Sequence, residues 1–194
     1  MPISLSLPQA DGGLARYDLA GTPLARPSAV PRFNRIAYAA AHVVSDPRRD
    51  TCPWEAPAVD WDATMAFRHH LWSLGFRIAE AMDTAQRGMG LDWAGAQELI
   101  RRPLADARTV PGADLACGAG TDHLNPADAR SLDDVIAAYE EQVGFVEKHG
   151  GRAIMMASRA LARLAKSPDD YRKVYGRILG QAKDKVVLHW LGDM

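Results

Sequence analysis

Five apolar runs of strand length recur at nearly even intervals, and this recurrence limits the fold more than any other feature. They begin near residues 35, 76, 114, 152 and 186, at intervals of 41, 38, 38 and 34. Each of the first four opens into a polar break and then into a segment of helical periodicity. Strands alternating with helices at this spacing predict parallel βαβ units. Right-handed crossovers then place every strand's C-terminal end on one side of the sheet, where such folds keep their chemistry.

The local signals support the pattern. Arg35–Val44 is the first strand candidate. Asp60 or Asp62 caps a helix with Phe67, Leu71 and Leu74 on one stripe, and Gly75 ends it. Phe76–Met82 is the second strand, and Asp92 caps the second helix, in which Pro103 is expected to kink or end the element. Asp114–Gly118 is the third strand. Ser131 with Asp134 reads as a capping box before the clearest amphipathic stripe, from Leu132 to Val146, which Gly150-Gly151 stops. Arg152–Ala157 is the fourth strand, Ser167-Pro168-Asp169-Asp170 a strong helix start, and Lys185–Leu191 the fifth strand.

Residues 1–34 hold Pro8, Pro23, Pro27 and Pro31 and read as an irregular arm laid over the body, with a short hairpin through Leu14–Leu24. Residues 35–194 form the domain. Two architectures fit: a (β/α) barrel, or a five-stranded doubly wound open sheet. The fifth run has no following helix to cover it, which is the pattern of a TIM-type barrel interrupted partway, with about five strands and four helices of an eight-fold closure.

Composition narrows the partners. The formal net charge is -1, which gives no electrostatic reason to expect nucleic acid or an anionic membrane. Two cysteines, Cys52 and Cys117, make neither a disulfide framework nor a zinc motif. With no secretory leader in the first residues, the expectation is a cytoplasmic protein with reduced thiols.

The strand ends and their loops carry His42, Glu80, Asp83, Thr84, Arg87, Asp122, His123, Ser158, Arg159, His189 and Asp193. Parallel strands bring such residues to one mouth. His42, Asp83 and His189 are also the ligands of an alternative reading, a divalent-metal isomerase or hydrolase. Glu80 fits either a structural hydrogen bond or a site role, and Trp190 reads as a cap on the mouth.

The segments HVVSDP, VDWDATMAFRHHLWSLGFRIAEAMDTAQRGMGLDW, LACGAGTDHL, AAYEEQVGFVEKHGGRAIMMASRALA and VVLHWLGDM resemble an uncharacterised bacterial family grouped with the dihydrodipicolinate synthase and N-acetylneuraminate lyase superfamily. The resemblance covers residues 32–194. It implies a (β/α)8 barrel, lyase or aldolase chemistry on a small 2-oxo acid, and a homo-oligomer. The superfamily's carboxylate-binding turn after strand two corresponds to Asp83–Arg87. Thr84 matches its first threonine, Ala85 stands where the second would be, and Arg87 is a candidate carboxylate donor. His189 stands where the superfamily has a proton-relaying tyrosine. Gly118 and Gly120 keep its glycine turn. Its Schiff-base lysine lies on a sixth strand, beyond residue 194. The expected site is therefore His189 and Asp83 as catalytic groups, with Thr84, Arg87, His42, Gly118, Gly120 and Ser158 around the substrate. No cofactor is expected. A half barrel that associates through its open strand edges without catalysis is the remaining alternative.

Overall fold

The computed structural model describes residues 3–22, 25, 29, 33–52 and 56–190. Asp193 and the end of the fifth expected strand lie outside the described residues.

The chain divides into two compact units, Met1–Val30 and Pro31–Met194. The first contains an antiparallel hairpin, β1 (Ser4–Pro8) on β2 (Leu14–Asp18), in register Ser4↔Asp18. The turn falls at Gln9–Gly13, where Gly12 takes a φ of 83°, so Leu14 begins the second arm of the hairpin rather than the first. Pro8 is tolerated because a two-stranded ladder has only edges.

The second unit holds β3 (Tyr38–Ala40), α1 (Trp61–Ser73), β4 (Arg77–Glu80), α2 (Trp93–Ala107), β5 (Leu115–Ala119), α3 (Leu132–Lys148), β6 (Arg152–Met155), α4 (Arg159–Leu164), α5 (Pro168–Gln181) and β7 (Val187–Leu188). The caps act where their residue types require. Asp60 accepts from the Ala63 amide at 2.9 Å, Asp92 accepts from Gly95 at 2.8 Å, and Ser131 with Asp134 closes a capping box. Gly75 ends the α1 segment at a φ of 83°. Pro103 does not end α2, which runs on to Ala107. The missing amide bond costs about 3 kcal/mol in a helix interior, and burial of Leu99, Ile100, Pro103 and Leu104 on one face offsets it.

β3 to β7 form one parallel sheet whose spatial order is the sequence order. That order has no reversal point, which overturns the doubly wound alternative, since a doubly wound sheet grows outward in both directions from its first strands. The sheet is curled like half of a barrel. On its concave side, Arg152 of β6 donates to the Tyr38 hydroxyl of β3 at 2.9 Å, three strands away. Ala79, Met82, Ala116, Ile154 and Met156 pack together with Tyr38, while Ile78, Leu115, Cys117, Ala153 and Met155 join the helices in the main core. Alternation along each strand thus feeds two apolar layers. The last strand departs from expectation. Among the described residues of the run only Val187 and Leu188 enter the ladder, both exposed, so 185–190 is not a buried strand. Trp190 does not cap the mouth. Its ring lies 6.1 Å from Tyr171 and 6.3 Å from Tyr175 on α5.

Candidate functional site

The C-terminal ends of β4, β5 and β6 open into a cavity of about 360 Å³. Its shape begins with a backbone irregularity. β4 ends at Glu80, and Ala81, fully buried, takes a φ of 53°. A non-glycine residue pays roughly 1–2 kcal/mol for that conformation, and the surrounding contacts hold it. Glu80 faces the helix layer, where its carboxylate receives Arg68 through Nε at 2.9 Å and Nη2 at 2.7 Å; both side chains are wholly buried. Arg68 Nη1 also donates to the His42 carbonyl at 2.6 Å. Glu80 is therefore a structural anchor joining β3, α1 and β4.

Arg87 builds the other side. A guanidinium offers five N–H groups, and Arg87 makes five contacts. Nε and Nη2 reach the two oxygens of Asp122 at 3.1 and 2.9 Å, Nη1 reaches the carbonyls of Gly118 at 2.6 Å and Ala81 at 3.3 Å, and Nη2 also donates to Gln142 Oε1. Its guanidinium carbon lies 5.1 Å from the Trp93 ring centroid, a cation–π contact. Nothing remains for a ligand. Gln142 is equally committed. Its oxygen accepts from the Gly120 amide at 2.6 Å, and its nitrogen donates to Asp122 at 3.0 Å and to His123 Nδ1 at 2.7 Å. That assignment puts the His123 proton on Nε2, 3.2 Å from Glu141. Burial works to raise the Asp122 carboxyl pKa, but the hydrogen bonds and charge of Arg87 outweigh it and hold the group below the usual carboxylate range.

Thr121, on the cavity wall, shares a hydroxyl hydrogen bond of 2.6 Å with Ser158 beneath it. Ser158 also caps α4 through the Leu161 amide at 3.0 Å. Tyr139 donates to the Met156 carbonyl at 2.6 Å, and burial pushes its pKa far up, so it remains a donor. Gly118 has a steric role: a Cβ there would meet the Ala81 carbonyl oxygen at 2.6 Å and Met156 Sδ at 2.8 Å.

Of the residues expected from sequence, Asp83, Arg87 and Gly120 line the cavity, joined by Asp122 and Arg159 from the wider set. Gly118 and Ser158 support it from beneath. Thr84 is exposed, His42 is exposed and stacked on Phe67 at 5.0 Å, and His189 follows β7; none of these three lines the cavity. The acid–base and carboxylate roles expected for His189, Thr84 and His42 thus find no place in it, and Arg87 is a brace rather than a ligand donor. Among the described residues no three His, Cys, Asp or Glu side chains gather as a metal would require, so His42, Asp83 and His189 do not form a ligand set. Sequence reasoning missed Gln142, Thr121 and the apolar wall of Met89, Leu124, Pro126 and Met156.

Two lining charges are left over. Asp83 and Arg159 make no side-chain hydrogen bond or ion pair with any described residue, including each other. The arrangement can hold a small anion at the exposed Arg159 and offers the half-buried Asp83 carboxylate on the same cavity.

Fold and site together define a parallel α/β protein with a charge-lined cavity at the C-terminal ends of its strands. The chain belongs to the family described as protein of unknown function (DUF993), whose sequence model matches residues 5–194. Comparison with curated proteins found no match.

Proposed function

We propose that the protein is an enzyme of the TIM-barrel type that acts on a small 2-oxo acid at this cavity, with lyase or aldolase chemistry of the kind the sequence resemblance implied. The observation that carries the reading is Arg159, a solvent-exposed cation with no ion-pair partner among the described residues, at the rim of a concave site at the strand ends. Arg159 pairs with the substrate carboxylate, a bidentate geometry that guanidinium favours. Asp83 takes the proton from the carbon next to the carbonyl, and the C–H electron pair moves onto the carbonyl oxygen as an enolate beside the Arg159 guanidinium. The Arg87–Asp122–Gln142 brace fixes the loop that carries Asp83, the Thr121–Ser158 hydrogen bond holds the segment that carries Arg159, and Leu124, Pro126 and Met156 give the cavity an apolar side. Among the described residues no lysine lines the cavity, so this reading assigns no Schiff base to its walls.

The test is deuterium exchange at C3 of 2-oxobutanoate in heavy water, followed by proton NMR. Exchange above the buffer rate, lost in Asp83→Asn, is expected. Exchange no faster than buffer would sink the proposed chemistry.

A second reading draws on the exposed Val187 and Leu188 of β7. An open edge strand invites another chain, and a homo-oligomer formed there is expected with or without catalysis.

A further inference from the structure

The cavity wall carries more charge than an acid-binding site needs. Asp122 is neutralised by Arg87, with 2.9 and 3.1 Å contacts. Subtracting that pair leaves one negative group, Asp83, and one positive group, Arg159, on the same walls. No ion pair joins them, and both border the cavity, Asp83 half-buried and Arg159 exposed at its rim. A partly buried carboxylate without a donor is unfavourable. A ligand that brings only a carboxylate would satisfy Arg159 and place a second negative charge near Asp83.

We infer that the physiological ligand is a small 2-oxo acid that also carries a hydrogen-bond-donating group, an ammonium or a hydroxyl, with its carboxylate at Arg159 and its donor on one oxygen of Asp83, the other oxygen being left to take the proton. This rests on the proposed role of Arg159 as the acid anchor and adds the second recognition element. The apolar wall of Met89, Leu124, Pro126 and Met156 suits an aliphatic chain between or beside the two polar groups. The shared chemistry is the donor. An ammonium gains charge attraction as well, whereas a hydroxyl gains the hydrogen bond alone.

Isothermal titration of four six-carbon acids separates these elements: hexanoate, 2-hydroxyhexanoate, norleucine and 6-aminohexanoate. Norleucine and the hydroxy acid place the donor next to the carboxylate, and 6-aminohexanoate places it at the far end. At least one donor-bearing acid is expected to bind about tenfold or more tightly than hexanoate, the scale of one charge-assisted hydrogen bond. In Asp83→Asn, and in Asp83→Ala as the second variant, the ratio of its affinity to that of hexanoate is expected to fall to about one. Hexanoate binding as tightly as all three others, or a preference that survives both variants, overturns the inference and leaves the acid anchor standing. Failure of all four acids to bind the wild-type protein overturns the anchor as well.

Discussion

Arg87 and Arg159 line the same cavity and have opposite consequences when replaced. Arg87→Met would leave Asp122 charged and half-shielded and two buried carbonyls without a donor. Leaving buried acceptors without a donor typically costs about 1–3 kcal/mol, and chemical denaturation should show a loss on that scale. The Asp122 pair also fixes a pH dependence. Its carboxyl titrates below the ordinary range in the folded protein, so its contribution is present above the unfolded value of ~3.9 and is lost as pH falls through the lower folded value. Denaturation midpoints taken from neutral pH downward should decline more steeply in this acid window for the wild-type chain than for Asp122→Asn. The residue scale is also where sequence reading was weakest. Asp83, Asp122 and Arg159 could be named as strand-end residues, because position after an apolar run is visible. Their pairing was not: Arg87 meets Asp122 across 35 positions and Gln142 across 55. Gln142 carries no chemical signature of its own, being a neutral amide inside the α3 stripe. Arg68, the partner of Glu80, reads as one charge in a helix until the fold brings it to β4.

At the scale of elements, capping chemistry and glycine punctuation were well marked. Asp60, Asp92 and Ser131 cap the helices they were expected to cap, and Gly75 and Gly150 take positive φ just beyond α1 and α3. The misses share a cause, since local pattern does not report what covers an element. The run 185–191 is apolar enough for a buried strand, yet β7 pairs on β6 through Val187 and Leu188 only. α4 has six residues, too short to show periodicity, and its cap Ser158 therefore looked like a site residue. Gly118 was expected to contact substrate and is instead a point of close packing between β4 and β6. Gly118→Ala forces a Cβ against a backbone oxygen that has no rotamer to escape into. A destabilisation of about 1–3 kcal/mol or more is expected by denaturant titration, and a variant as stable as wild type would show that the packing there is looser than the geometry indicates.

For the whole molecule, the even spacing of apolar runs was sufficient to give five parallel strands, and their unbroken spatial order means that every crossover advances the sheet in the same direction. Spacing could not choose between a curled sheet and a doubly wound one, because both use the same βαβ unit. The exposed edge at β7 belongs to this scale too. Static light scattering should give a mass above that of one 21.1 kDa chain, and a clean monomer would count against edge association. The central claim is that a small acid binds at the strand-end cavity through Arg159. Calorimetric titration of 2-oxobutanoate into the wild-type protein and Arg159→Gln tests it most directly. Saturable binding that weakens at least about tenfold in the variant, at unchanged denaturation midpoint, is the predicted result; equal affinity in the two proteins, or no binding to wild type, would contradict it.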